Sequence, residues 1–247
     1  MATGFSHTAR LIVAGLLLLA LTGTASGQSV QITPIGLTLG ERQPVGTLTL
    51  ANRGNRTTTF HVEAHRWTQS RGEDRLEPSR DLLISPPVFS IEPGQSQTVR
   101  VGLRRDVPDN EEAAYRALFR EVPPADDAGP EFGLRFALQL SIPVFLAPQT
   151  AAHADLRWRA TLDTRNRQVV LQALNAGAGH ARVTRLELAN PGDGTTVAQP
   201  WRGLRYVLPG SRQEWRLSLQ RNPTPGSTMQ ILGKDGRDAI DAPVRLE

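Results

Sequence analysis

The stretch Leu134–Val144 constrains the fold more than any other part of the chain. Leu134, Phe136, Leu138, Leu140, Ile142 and Val144 alternate with Arg135, Ala137, Gln139, Ser141 and Pro143. Side chains on a strand point to opposite faces in turn, so a period of two predicts one unbroken apolar edge along the whole stretch. The pattern alone leaves two readings open. The segment is either a half-buried core strand of an all-β domain or a strand that lends its apolar face to another protein.

The surroundings are of the same kind. Thr47-Leu48-Thr49-Leu50 alternates and stops at the turn-forming Asn52-Arg53-Gly54-Asn55. Thr57–Trp67 is rich in β-branched and aromatic residues. Leu82–Ile91 is interrupted by Pro86-Pro87, Glu92-Pro93-Gly94 reads as a turn, and Thr98–Leu103 alternates again before Tyr115–Val122. Short strands separated by such turns predict a sandwich of immunoglobulin type. After the small, Pro-containing stretch Pro148–Ala152, strands resume over Leu156–Leu162, Val169–Leu174, Ala181–Leu188, Arg205–Leu208, Trp215–Leu219 and Thr228–Leu232. The expected fold is therefore all-β, two immunoglobulin-like β-sandwich domains, over residues 28–147 and 153–247 with a hinge at 148–152.

Upstream, Arg10 closes a short basic leader, Leu11–Leu21 is almost wholly apolar, and Ala25-Ser26-Gly27 supplies small residues. This order predicts a secretory signal peptide over 1–27 and export of the rest. The apolar run is too short to span a bilayer. The chain has no cysteine, so packing rather than disulfides must stabilise an exported product. The formal charge is +4. The arginines are interspersed with acids, without the basic–aromatic runs of a nucleic-acid surface, so no nucleic-acid partner is expected.

Residues suited to catalysis or metal binding are not arranged for it. His61 and His65 lie four apart, which on a strand separates their Cα atoms by about 13 Å, too far to share one metal. They are expected as polar residues facing outward. There is no Gly-x-Ser-x-Gly elbow, cysteine nucleophile or phosphate loop,. Glu111-Glu112 and Asp126-Asp127 fall in loops. No enzyme, cofactor or metal is expected.

Three blocks carry a resemblance. Leu83-Ile84-Ser85-Pro86-Pro87-Val88-Phe89-Ser90-Ile91-Glu92-Pro93-Gly94 through Val101 is similar to the long signature of periplasmic pilus chaperones of the chaperone–usher pathway, the PapD-like family. Tyr115-Arg116 through Pro123-Pro124 resembles their next strand, and Leu134–Pro148 their subunit-holding strand with its exit into the second domain. Leu174–Val183 and Val207–Ser211 are similar to the family's second domain.

The resemblance implies two sandwiches set as a boomerang, in the periplasm, holding pilus or spore-coat-U-like subunits and passing them to an outer-membrane usher. The mechanism it implies is strand donation, with Leu134, Phe136 and Leu138 in the subunit's pockets and Leu140 and Ile142 continuing the face. Five such side chains would contribute roughly 7–15 kcal/mol before ordering costs. The family's usual carboxylate clamp, an Arg on the first strand and a Lys on the donor strand, falls here on Gly36 and Pro143, which cannot hold an anion by side chain. Arg116 and Arg120 are the candidates in its place. This departure resembles the archaic, spore-coat-U-associated branch. Without a client, an exposed apolar strand also favours self-association. The competing class is a two-domain structural or adhesive surface-fibre protein, which would need an N-terminal donor extension that Gln28–Val30 is too short to supply.

Overall fold

The computed structural model describes residues 30–106, 108–123, 137–236 and 238–247. The leader 1–27 and the site candidates Leu134 and Phe136 therefore lie outside the described residues, as does Asp126-Asp127.

The described residues contain strands and no helix. The first sandwich is built from β1 (Val30–Thr33), β2 (Leu37–Leu39), β3 (Val45–Asn52), β4 (Thr58–Ser70), β5 (Glu73–Pro78), β6 (Leu82–Ser85), β7 (Val88–Ile91), β8 (Ser96–Leu103), β9 (Ala113–Val122) and β10 (Gln139–Leu146). One sheet runs β1-β3-β8-β6. The other runs β2-β10-β9-β4-β5, with β7 also on β4. The second sandwich comprises β11 (Leu156–Asp163), β12 (Gln168–Asn175), β13 (Ala181–Ala189), β14 (Trp201–Val207), β15 (Arg212–Ser218), β16 (Thr228–Asp235) and β17 (Asp238–Arg245). Its sheets run β11-β12-β15 and β14-β13-β16-β17. Each sandwich has its own core. Leu48, Leu50, Phe60, Val99, Val101 and Phe119 lie in the first, and Val169, Leu171, Leu186, Leu188, Trp215 and Ile231 in the second.

The alternation read from sequence is the alternation of burial. Along β3, Gly46, Leu48, Leu50 and Asn52 are buried and the residues between are more open. Two strands escaped the hydrophobic reading. β5 (Glu-Asp-Arg-Leu-Glu-Pro) is exposed throughout, and β17 carries two aspartates and Pro243. Both lie at sheet edges, where main-chain pairing on one side suffices and charge or proline discourages pairing on the other.

A single side-chain device closes both sandwiches. Asn52, fully buried at the end of β3, donates from Nδ2 to the carbonyls of Arg56 (2.7 Å) and Ile91 (2.9 Å), while its Oδ1 accepts from the Gly54 amide (2.9 Å). Asn175, at the end of β12, donates to the carbonyls of Gly179 (2.8 Å) and Val207 (2.9 Å) and accepts from the Gly177 amide (3.0 Å). The main chains match too. Gly94 donates to the Asn52 carbonyl and Gly210 to that of Asn175, each at 2.9 Å. Those glycines follow Pro93 and Pro209 with φ of 74° and 69°, the left-handed region that glycine enters without penalty,.

The sandwiches meet through Trp67, Ala114, Phe145, Leu208 and Tyr206. Polar contacts frame this patch. Gln69 Nε2 donates to the Tyr206 carbonyl (3.0 Å) and Gln69 Oε1 accepts from the Leu208 amide (3.0 Å). Glu112 Oε1 sits 2.6 Å from His180 Nδ1, and the His180 ring stacks on Phe145 at 3.7 Å and 8°.

Candidate functional site

The alternating stretch that dominates the sequence becomes β10. On one side it pairs antiparallel with β9, from Gln139↔Arg120 to Leu146↔Ala113. On the other side β2 runs parallel but reaches only Val144, Phe145 and Leu146. The hydrogen bonds fix which main-chain groups point where. The Leu138 carbonyl accepts from the Glu121 amide (2.9 Å), toward β9, and the Ala147 amide donates to the Leu39 carbonyl (2.8 Å), toward β2. Main-chain groups alternate direction along a strand. The amides and carbonyls of Gln139 and Ser141 therefore face the outer edge, where no strand pairs with them among the described residues. Pro143 has no N–H to offer and packs against Gly36, whose Cβ, if present, would lie 3.3 Å from the Pro143 ring. The edge is thus open from Gln139 to Pro143 and closed beyond it.

The side chains grade along the same strand. Val144 and Leu146 are fully buried in the first core, Ile142 is 6 % exposed, and Leu140 and Leu138 are only half-buried. The sequence reading grouped Ile142 with the residues offered to a client. In the structure its side chain is already packed in the chain's own core, so it anchors the strand from within. Leu138 and Leu140 are the members of the described face that retain open surface.

The two arginine candidates share a face of β9 but not a role. Arg120 points to Glu63, Nη1 to Oε2 at 2.7 Å. Arg116 lies with its guanidinium carbon 3.7 Å from the Trp67 ring centre and 5.5 Å from that of Tyr206. Burial lowers its pKa, while Asp74 and Tyr206 oppose the shift; a guanidinium remains cationic regardless at neutral pH. Stacking uses the face of the guanidinium and leaves its in-plane N–H groups available. Arg116 lines a cavity of about 450 Å³ between the sandwiches, with Trp67, Asp74, Leu204, Arg205 and Tyr206 among its walls. The aromatic partners escaped the sequence reading. The signal was Trp67 itself, at an odd position of β4 with His61, Glu63 and His65, away from the core-facing Phe60 and Val62.

His65 corrects an expectation. It faces away from the first core but is 7 % exposed, not an outward polar residue, and its Nε2 lies 3.5 Å from Glu63. No group of three or more potential metal ligands comes together among the described residues.

A family model described as "Pili and flagellar-assembly chaperone, PapD N-terminal domain" matches residues 29–152, just over half of the chain. The chain belongs to the PapD-like pilus chaperones. Solved structures resemble this chaperone across both sandwiches. One is in the CsuC–CsuE chaperone–tip adhesion subunit pre-assembly complex from the archaic chaperone–usher Csu pili of Acinetobacter baumannii, with TM-score 0.62 and 19 % identity over 89 % of this chain and 99 % of the other. The CupB2 chaperone of Pseudomonas aeruginosa gives 0.56 and 17 %, over 88 % and 100 %. The Salmonella enterica SafA pilin–SafB chaperone complex gives 0.57 and 18 %, over 88 % and 95 %. At these identities the likeness is one of fold. No curated protein matches the chain by sequence.

Proposed function

We propose that this pilus chaperone acts in the periplasm and holds subunits by adding β10 to their incomplete immunoglobulin-like fold, then yields them to an outer-membrane usher. One observation carries the reading. Among the described residues the outer edge of β10 is unpaired from Gln139 to Pro143, while its inner edge is zipped to β9 over the strand's whole length. A rigid strand with one free edge and an open apolar face is what strand addition requires, because main-chain hydrogen bonds supply affinity and alternate side chains fill pockets. Leu138 and Leu140, continued by Leu134 and Phe136 in the sequence, form the offered face. Four such side chains, each contributing about 1.5–3 kcal/mol on burial, give roughly 6–12 kcal/mol before ordering costs.

Arg116 is the proposed carboxylate anchor. Arg116 lines an inter-sandwich cavity and forms no ion pair among the described residues, whereas Arg120 is already matched by Glu63. The loss of the usual clamp at Gly36 and Pro143, together with this substitute on β9, favours the archaic, spore-coat-U-associated branch. Co-expression with small secreted proteins encoded nearby, followed by recovery of a 1:1 complex from periplasm, tests the reading. Recovery that survives Leu138→Glu undiminished overturns strand donation.

A further inference from the structure

The second sandwich repeats the geometry of β10 in its own last strand. Ser141-Ile142-Pro143-Val144-Phe145-Leu146 on β10 is matched by Asp241-Ala242-Pro243-Val244-Arg245-Leu246 on and after β17. Val144 and Leu146 are buried in the first core, Val244 and Leu246 in the second. The strand ends are closed in the same way. Leu146 pairs parallel with Leu39 and the Ala147 amide donates to the Leu39 carbonyl. Leu246 bridges parallel to Ala160 and the Glu247 amide donates to the Ala160 carbonyl (2.9 Å).

The edge left open is also the same. β17 pairs with β16 on its inner side, where the Leu246 amide and carbonyl bond Ser227 and Gly226. The intervening residues Ala239 and Asp241 thus turn their amides and carbonyls outward. Pro243 sits where its missing N–H would have faced outward. No strand pairs with Asp238–Pro243 on that side among the described residues. Proline at such a place is the expected mark of an unpaired edge.

What lies beside this edge differs from the surroundings of β10. A groove of about 610 Å³ runs between β17 and the start of β11. Leu156, Trp158 and Ile240 give it apolar walls, and all three pack on the second core. Among the described residues, Glu112, Asp235, Asp238 and Asp241 line it against one arginine, Arg182. Glu112 is engaged by His180, Asp235 accepts from the Arg182 amide and Asp241 from Gln230 Nε2, but none of Asp235, Asp238 and Asp241 has its charge matched by an ion pair among the described residues.

We propose that the outer edge of β17 is a second strand-addition site, and that it accepts an extended segment of a partner protein in which apolar and basic residues alternate. The free amides and carbonyls call for an extended main chain, the walls of Leu156 and Trp158 take every second side chain, and the acidic rim takes the others. Five residues, Asp238–Ala242, span about 16 Å of strand, enough to register a short segment. The site is separate from β10 and does not depend on subunit holding there.

The test uses the full mature chain and a fluorescein-labelled nine-residue peptide alternating valine and arginine, with a valine–glutamate peptide of equal length as control. Fluorescence anisotropy should show saturable binding of the basic peptide alone. Ala239→Pro, which removes one outward amide, and the pair Asp238→Lys with Asp241→Lys should each weaken it at least tenfold. Hydrogen exchange on the unaltered protein gives an independent readout, with the peptide slowing exchange at Ala239 and Asp241 and leaving Gln139 and Ser141 unchanged. Protection at Gln139 and Ser141 instead, no saturable binding, or charge reversal acting while Ala239→Pro has no effect in a folded variant would each overturn the proposal. The last result would mean simple charge attraction. Self-association of the chain through the same amides, without peptide, would overturn the assignment of a basic partner.

Discussion

The guanidinium of Arg116 lies 3.7 Å above the ring of Trp67, and this contact joins the candidate anchor to the boundary between the sandwiches. Trp67 is 1 % exposed and packs with Phe145 and Tyr206 (ring centres 6.0 and 5.4 Å away). The cation is therefore held by aromatics from both halves of the molecule. Arg116→Ala is expected to reduce subunit recovery by roughly 10- to 100-fold, matching about 1.5–3 kcal/mol for a hydrogen bond to a charged group. Arg116→Lys keeps the charge but loses the planar stack and fork, so it should fall between the two. Equal recovery for all three proteins would exclude Arg116 as the anchor.

Along β10, the grading of burial separates two kinds of substitution. Leu138→Glu and Leu140→Glu should abolish subunit capture while shifting thermal unfolding little, because both side chains are only half-buried. Ile142→Ala should do the reverse. It removes a packed core side chain and should cost about 2–4 kcal/mol of stability in urea denaturation. A Leu138→Glu protein that unfolds as readily as Ile142→Ala would show that Leu138 serves the chain's own core.

The paired asparagines predict equivalent losses in each sandwich. Asn52→Ala strands the carbonyls of Arg56 and Ile91 and the Gly54 amide, and Asn175→Ala strands their counterparts at Gly179, Val207 and Gly177 together with the Asp155 amide. Each should cost about 2–4 kcal/mol, since buried polar groups lose their partners. Urea titration followed by circular dichroism should show one transition shifted in each variant. A change below 1 kcal/mol would contradict the role of the network.

Asp81 gives a pH dependence with a defined sign. Its carboxyl is held below the usual range chiefly by the hydrogen bond from the Tyr115 hydroxyl (2.6 Å), with burial opposing and Arg105 assisting. A depressed folded pKa contributes stability that is present above the ordinary carboxylate value of about 3.9 and is lost as pH falls through the folded value. Asp81→Asn should therefore flatten the fall in stability below about pH 4. Tyr115 shifts the other way, its phenol raised mainly by burial and then by the bond to Asp81. Its contribution is present below the ordinary tyrosine value of about 10 and is lost as pH rises through the folded value. An unchanged acid limb in Asp81→Asn would refute the assignment.

Near the segment joining the sandwiches, Gly177 admits no side chain. A Cβ there would fall 2.2 Å from the His153 carbonyl oxygen and 2.5 Å from the Asp155 amide nitrogen, both main-chain atoms. Gly177→Ala should cost at least about 1–3 kcal/mol and disturb the Glu112–His180 contact through the adjacent turn. Loss of the proximity between Phe145 and His180 in NMR spectra would report it. Full retention of both stability and proximity would refute the constraint.

Much of the first sandwich was legible because its strands alternate against one core. Leu48, Leu50, Val99 and Val101 announce their burial by period alone. β5 and β17 were not legible, because edge strands are held by main-chain bonds that leave no apolar period. The apolar face of β10 was legible as a face. Its division was not, because whether Ile142 or Leu138 is covered depends on where neighbouring strands end. Arg116 was legible as a cation on the strand before β10, but its stack on Trp67 of the neighbouring β4 depends on strand pairing, and Tyr206 meets it only once the two domains are docked.

By itself the sequence determined an all-β chain of repeated short strands and a long alternating segment, since period and turn chemistry are local properties of a polypeptide. It also displayed the blocks that mark the pilus-chaperone family. Tertiary structure decided which edge of that segment has no partner strand among the described residues. β2 stops at Val144, Pro143 packs against Gly36, and main-chain groups at Gln139 and Ser141 are left facing outward. Whether an edge is open is a property of its neighbours, and the strand's own residues cannot encode it alone.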